Sequence, residues 1–329
     1  MIKNWKRACL SALICSVAVL ATAAPSIAEK LVLKLGHPSS LTYPSHIGAL
    51  KLAEEVARRS NGEIEIQVFP LSQLGGERDL IEGLQLGTVD MAIFSNMSIT
   101  NFVPAAPILE LPFFYKDGDH ILRAIESPAG QRLMGMYEDA IGKLLGFYKT
   151  SSPSFYNSVR PIHTMDDLKG LKLRAIQSNI RIEFFTALGA LPIPLPFSEV
   201  YGALQQGIVD GADNDPASLL GMKHYEYSKY YSLTKHVNFL NYVFISRNVW
   251  ASLTPEQQQI IEEATAVSEA TEAAYLTESV EKDMAELKGL GVEINDVDTA
   301  PMIAKVAPLW DSWVPAEYHD LLNEIRAVE

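Results

Sequence analysis

Cysteine is almost missing from this chain of 329 residues, with two in all, Cys9 and Cys15. Both fall in a stretch that reads as a removable leader. The chain beyond it therefore has no disulfide, no thiol nucleophile and no thiolate metal site. Positive charge is also scarce: 27 Lys and Arg against 40 Asp and Glu give a net charge of −13 and a pI near 5.0. Nucleic acid, which needs a basic face, is excluded as a partner. An acidic chain that holds an acid must do so with a local cation. The seven histidines, His37, His46, His120, His163, His224, His236 and His319, include no pair at helical i, i+3 or i, i+4 spacing, so the helical zinc pattern is missing. There is no GxSxG elbow, no GxGxxG, and no Gly-Lys-Ser/Thr after the Gly75-Gly76 pair. Asp210, Asp213 and Asp215 suggest a calcium loop only faintly, because the EF-hand spacing and its bidentate glutamate are lacking. No repeat appears. The composition points to no metal, no cofactor and no enzyme.

What is present begins with a targeting segment, 1–28. Lys3, Lys6 and Arg7 precede an apolar run from Leu10 to Ala24, and Ser26-Ile27-Ala28 forms a small-x-small cleavage site before Glu29. About 15 apolar residues are short for a membrane span. Ile14 before Cys15 is bulky where a lipoprotein signal wants a small residue. Export to the periplasm through a cleaved signal peptide is the expectation. The length suits about two domains, and 48% hydrophobic residues suit a sizeable core.

The first part alternates strands and helices. Leu31 to Leu35 alternates as a strand, Pro44 to Arg59 has a helical apolar face, and Asn61-Gly62 turns into strand Ile64 to Phe69. Gly75-Gly76 opens a helix from Glu77 to Leu86, and Val89 to Phe94 is the next strand. This βαβαβ order predicts a parallel sheet. His37, Glu77, Ser95 and Asn96 fall at its element ends. Glu77 reads either as an acid favoured by the helix dipole or as a ligand contact, and His37 as structural or functional. Ala105 to Tyr115 is apolar and proline-punctuated, as for core or a cleft wall. His120 to Tyr137 reads as one helix and Gly146 to Thr150 as a strand leaving the first domain. The expected division is lobe I from 29–150 plus 240–278, and lobe II from 151–239 plus 279–329. Arg160 is read as structural, and Tyr225, Tyr227, Tyr230 and Tyr231 as packing. Strands at Lys235 to Asn238 and Asn241 to Arg247 return toward the first domain. Thr254, Pro255 and Gln257 form a capping box with proline at N1, and nothing stops that helix before Gly289. It is long enough to run along both lobes. The helices through Trp310 to Arg326 are expected on the second lobe.

The densest stretch runs from Asp166 to Pro216. Leu171 to Leu173 alternates as a strand ending at Arg174. Ile180 to Leu188 is helical, Pro192 to Pro196 is extended, and Ser198 can cap a helix from Glu199 to Gln206. Ile208 to Ala212 is a strand leading into Asn214. In open α/β sheets ligands bind beyond the carboxyl ends of the strands, where Arg174 and Asn214 both fall. Arginine's planar fork matches a carboxylate bidentately, although a structural salt bridge is the plain alternative for Arg174.

Three runs in this stretch, Asp-Leu-Lys-Gly-Leu-Lys-Leu-Arg (167–174), Pro-Leu-Pro-Phe-Ser-Glu-Val-Tyr (194–201) and Ala-Leu-Gln-Gln-Gly-Ile-Val-Asp-Gly-Ala-Asp-Asn (203–214), resemble the solute-binding proteins of TRAP transporters, the DctP family. The resemblance covers nearly the whole chain after the leader. It implies an α/β, two-lobed fold of the type II periplasmic-binding-protein kind, with hinge strands and a long helix crossing both lobes. It also implies an extracytoplasmic receptor that closes on a small organic acid and hands it to the membrane subunits of a TRAP transporter. By the same resemblance Arg174 pairs with a ligand carboxylate, Asn214 adds a hydrogen bond and Phe197 walls the pocket. Gln177, Glu77 and Ser95 shape specificity, with His37 and Asn96 nearby. A monomer is expected. A receptor feeding a sensor or another importer class is the alternative reading. Some family members have a second arginine about twenty residues before the first; here Ser151 to Val159 contains no basic residue. Serine and tyrosine hydroxyls there suit a neutral end. A monocarboxylate such as a hydroxy or sugar acid is therefore expected over a C4-dicarboxylate, unless Lys149, His37 or a water replaces the missing cation.

Overall fold

The structure is a computed structural model and describes residues 30–329. The expected signal segment, with both cysteines, lies outside those residues.

Alternation sets the first sheet. In β1 (Leu31–Gly36) Leu33 and Leu35 are buried while Val32 and Lys34 face out. Helix α1 (Pro44–Arg59), started by proline at N1, buries Ala49, Leu52 and Val56. Strand β2 (Ile64–Phe69) pairs parallel with β1 along its length. After α2 (Glu77–Leu86), β3 (Met91–Ser95) pairs parallel with β1 on its other side. These bounds follow the sequence expectation, except that β3 starts two residues later and so ends on Ser95. The apolar segment after it is buried from Ala105 to Leu111. The single helix expected from His120 to Tyr137 is two, α3 (Gly118–Glu126) and α4 (Pro128–Ala140). Pro128 cannot continue a helix, and the Ser127 side chain accepts a hydrogen bond from the Gly130 N–H, capping the second. Strand β4 (Lys143–Lys149) completes this half.

The chain then crosses to a second sheet. Its elements are β5 (Ser154–Asn157), β6 (Lys172–Ala175), α5 (Asn179–Ala187), β7 (Leu191–Pro194), α6 (Val200–Gln205), β8 (Gly211–Asn214), α7 (Pro216–Gly221) and β9 (Tyr230–Leu233). Two expectations shift. Ser198 does not cap α6, because a 3-10 turn at Phe197–Glu199 leads into it. The strand expected at Ile208 to Ala212 runs Gly211–Asn214. Lys235 to Asn238 is not a strand; Lys235 sits at φ 44, which breaks extended geometry, and the segment is a crossing link. Strand β10 (Leu240–Ile245) returns to the first sheet, antiparallel between β3 and β4. The sheet orders are β2-β1-β3-β10-β4 and, after β11 (Glu293–Asp296) is added beside β9, β11-β9-β5-β8-β6-β7.

Helix α8 (Arg247–Ser252) precedes α9 (Pro255–Gly289), whose capping box at Thr254 and Gln257 forms as expected. At 1.5 Å per residue its 35 residues span about 50 Å. It packs on α1 and β4 of the first lobe, then on α7 of the second. The last helices, α10 (Ala300–Val306), α11 (Trp310–Trp313) and α12 (His319–Arg326), do not all stay on the second lobe as expected. Helix α10 touches α5, but α12 lies on α4. There Leu321, Leu322 and Ile325 join the same buried cluster as Leu133 and Tyr137, and the Trp310 indole donates to the Pro112 carbonyl at 2.9 Å. The C-terminal segment is thus shared between the lobes.

Three connections join the lobes: 150–153, 234–239 and α9. The first two are laced together, Thr150 Oγ1 donating to the Phe239 carbonyl at 2.7 Å and Ser152 Oγ to Asn238 Oδ1 at 2.6 Å. At the middle of α9, Glu272 is fully buried beside the end of β4. Its Oε2 accepts the Lys149 N–H at 3.0 Å, and its Oε1 has no partner among the described residues. Burial, with Glu269 and Asp215 nearby, pushes its pKa up to about 8. A raised folded value means that its contribution to stability is intact below the ordinary carboxylate range and lost as pH climbs through about 8. Glu272→Gln keeps the hydrogen bond without the ionisation. Unfolding in urea at about pH 6 and about pH 9 should show the variant gaining on the parent at the higher pH. A difference independent of pH would contradict this.

Candidate functional site

The carboxyl ends of β3, β6 and β8 meet where the two lobes face each other. They carry Ser95, Arg174 and Asn214 to one cavity, which Tyr43, Glu77, Phe197 and Asp213 also line. Arg174 is 4% exposed. Its Nε donates to the Leu195 carbonyl at 2.9 Å, and its guanidinium carbon lies 5.8 Å from the centre of the Phe197 ring. The extended prolines around Leu195 and Pro196 present that carbonyl and bring Phe197 across from β6. Among the described residues no carboxylate lies within ion-pair distance of Arg174, and its terminal nitrogens make no hydrogen bond. Burial lowers its pKa, while Asp213, Tyr156 and Glu77 raise it. Arginine still keeps its proton, so the cavity is faced by a buried cation without a paired anion.

Glu77 reaches the cavity from the first turn of α2. Its Oε1 accepts the Ser95 N–H at 3.0 Å, and its Oε2 accepts the hydroxyls of Ser95, at 3.3 Å, and Ser98. Burial raises its pKa against these bonds. Asn214 accepts the Asp215 N–H on Oδ1 at 2.9 Å, so its amide nitrogen is the group left for a ligand. Gln177 lines an adjoining outer chamber together with Glu77, Arg174, Ile176 and Phe197. Its carbonyl accepts Asn101 Nδ2 at 2.5 Å, a bond between the lobes.

Two residues singled out in the sequence are not brought to the cavity. His37 is buried behind it with Nε2 at 3.0 Å from His46 Nδ1, and burial plus His46 lowers its pKa to about 3, so it is neutral. Asn96 turns into the core and donates to the Leu109 carbonyl at 2.8 Å. The hydroxyls of the 151–156 segment are also elsewhere. Ser151, Ser152 and Ser154 line a separate cavity with Val280 and Met284, the Tyr156 hydroxyl pairs with His224 Nδ1 at 2.7 Å, and Pro153 is the segment's residue at the site. Lys149 pairs with Asp119 at 3.1 Å.

Sequence reasoning did not single out Tyr43, Asn241 or Asp213 as site residues, and all three line the cavity. Tyr43 crosses the cleft to donate to Asp215 Oδ2 at 2.7 Å. The same rule that located Asn214, polar residues at strand ends, reaches Asp213. Tyr43 lies in the loop after β1, and Asn241 is the second residue of β10, paired with Ser95.

The sequence profile of the bacterial extracellular solute-binding protein, family 7 (DctP), matches residues 35–316. The chain is 31% identical over 328 residues to a C4-dicarboxylate-binding periplasmic protein of Rhodobacter capsulatus, covering 98% of this chain and 96% of that one. A TRAP periplasmic solute binding protein from Xanthobacter autotrophicus Py2, solved with bound β-D-galacturonate, superposes with a TM-score of 0.85 at 31% identity, over 90% of this chain and 100% of that one. One from Polaromonas sp. JS666, bound to D-erythronate, gives 0.86 at 29% identity over 91% and 99%. With a profile spanning most of the chain and a two-lobed fold shared along its length, this protein belongs to the DctP family of TRAP-transporter periplasmic solute-binding proteins, which are receptors and not enzymes.

Proposed function

We propose that this receptor closes on one small hydroxylated monocarboxylate, a sugar acid of the uronate or aldonate class, and delivers it as a monomer from the periplasm to the membrane subunits of a TRAP transporter. The observation that carries the reading is the charge count of the cavity wall: one arginine, Arg174, and two carboxylates, Glu77 and Asp213. One ligand carboxylate takes the free face of the Arg174 guanidinium. A second would have no cation and would meet Glu77 or Asp213, and an unpaired buried charge is expensive. Hydroxyls fit the remaining wall, because Tyr43, Asn214, Asn241 and Asp213 offer acceptors and donors, while Phe197 can cover the apolar face of a sugar ring. The Tyr43–Asp215 and Asn101–Gln177 hydrogen bonds link the lobes across the cleft and favour a shut state that excludes water. The relatives solved with galacturonate and erythronate support the same class. The Rhodobacter relative favours a C4-dicarboxylate instead, a reading that needs a cation the wall lacks.

A thermal-shift series decides between the two. D-Galacturonate, D-glucuronate and D-erythronate should each raise the melting temperature, and succinate, malate and fumarate should not. Stabilisation by the dicarboxylates alone would overturn the monocarboxylate reading.

A further inference from the structure

Behind the cavity lies a charged cluster that ligand contact alone does not require. Arg181, on α5, is 1% exposed. Its Nη1 lies 3.5 Å from Asp213 Oδ2 and its Nε 3.7 Å from Glu110 Oε1, ion-pair distances with no hydrogen bond, and its Nη2 lies 2.7 Å from the sulfur of Met97. Glu110 and Met97 come from the first lobe, and Asp213 from β8 of the second. Glu110 is held on its other oxygen by the Ser178 hydroxyl at 2.7 Å. His236 Nε2 approaches Asp213 Oδ2 at 3.1 Å, and its ring stacks on Phe155 at 4.5 Å. Phe155 stands opposite Asp213 in the β5–β8 pairing, in the stretch that has no basic residue. The cation on Asp213 therefore comes from α5, from behind the pocket.

All of these contacts fall on one oxygen of Asp213. Oδ1 has no protein partner among the described residues, although Asp213 is a cavity-wall residue. The other acid of the wall, Glu77, has both oxygens occupied by Ser95 and Ser98. We infer that Asp213 is the residue that reads a ligand hydroxyl, through Oδ1, and that Arg181 is its positioning residue, fixing the carboxylate from behind through Oδ2 and tying it to Glu110 of the opposite lobe. A carboxylate clamped on one oxygen offers the other as a fixed acceptor, and a charged acceptor makes a strong hydrogen bond to a hydroxyl. The inference rests on the sugar-acid reading, since a ligand without hydroxyls gives Asp213 nothing to read.

The test is a cycle of three variants titrated calorimetrically with D-galacturonate. Asp213→Asn removes the charged acceptor. Arg181→Gln combined with Glu110→Gln removes the clamp without leaving Glu110 as a second unpaired acid beside Asp213. The third variant carries all three changes. Circular dichroism and melting first establish which variants fold, and Arg181→Lys, which keeps a cation in place, serves as a milder second probe. Asp213→Asn should weaken binding about tenfold or more. The clamp variant should lose a comparable factor, and the triple variant no more than Asp213→Asn alone, because Arg181 acts through Asp213. Arg181→Lys should stay within about tenfold of the parent. Losses that multiply would give Arg181 a separate, structural role and overturn the inference, as would an Asp213→Asn variant that binds normally. If the double and triple variants do not fold, normal affinity in Asp213→Asn or a full loss in Arg181→Lys overturns it. A parent protein that binds no hydroxylated acid overturns the sugar-acid reading itself, and the role of Asp213 with it.

Discussion

Replacing Arg174 by alanine should weaken ligand binding about 30- to 3,000-fold, because removing one partner of a buried charge pair costs roughly 2–5 kcal/mol. The expectation follows from the surroundings of Arg174. It is buried, it is held by a single carbonyl at Nε, and it has no protein anion to neutralise it. Its desolvation is therefore offset only when an acid arrives. Arg174→Lys should recover little, since an ammonium cannot reproduce the two parallel donors or the contact with Phe197. The folded state should be affected far less than binding, and removing an unpaired buried cation can leave the empty protein as stable as before. Calorimetry on the alanine variant checks this. An affinity loss under about fivefold would remove Arg174 as the anchor.

The second large effect is on stability and falls on Gly211. This residue opens β8, pairs with Asn157 of β5, and precedes Asp213 and Asn214 by two and three positions. A Cβ at Gly211 would lie 2.0 Å from the Tyr156 carbonyl oxygen and 2.7 Å from the Asn157 Cα. Both are backbone atoms in the middle of a sheet, so they cannot yield as a flexible side chain would. Glycine inside a strand commonly marks such a close approach. Gly211→Ala should destabilise the protein by about 3 kcal/mol, the upper end of what overpacking costs. It should also weaken the ligand site, because displacing β8 moves Asp213 and Asn214. Chemical denaturation measures the first effect and titration the second. Parent-like stability would show that β5 and β8 can part without loss.

Much of the scaffold was legible because its signals are local. Pro44 at N1, the Asn61-Gly62 turn and the alternation of Leu33 and Leu35 fix the first βαβ unit within a residue or two. Thr254, Pro255 and Gln257 fix the start of α9. Boundaries failed where a competing local rule was overlooked, as at Ser127-Pro128, where capping and the missing proline N–H divide one apparent helix into two. They also failed where tertiary context decides, as at Lys235 to Asn238, which has strand-like residues but must turn between the lobes.

The site divides in the same way. Arg174, Asn214 and Phe197 were found from strand ends and the family runs, and these meet in the cavity. His37, in the loop after β1, left a structural and a functional reading open, and its buried pairing with His46 of α1 fits the structural one. Arg181 could not be singled out, because a cation between Ile180 and Ile182 in a short helix resembles any surface residue. Its partner Asp213 lies on another strand of the same lobe, and Glu110 and Met97 meet it only when the lobes stand together. Long-range electrostatics of this kind leaves no periodicity in a sequence.

The most direct measurement of the central claim is calorimetric titration of the protein with D-galacturonate and with succinate, followed by mass spectrometry of the ligand recovered. The account predicts one saturable site for galacturonate, recovered chemically unchanged, and succinate binding at least about a hundredfold weaker. Tight succinate binding without galacturonate binding, or turnover of either acid, would contradict it.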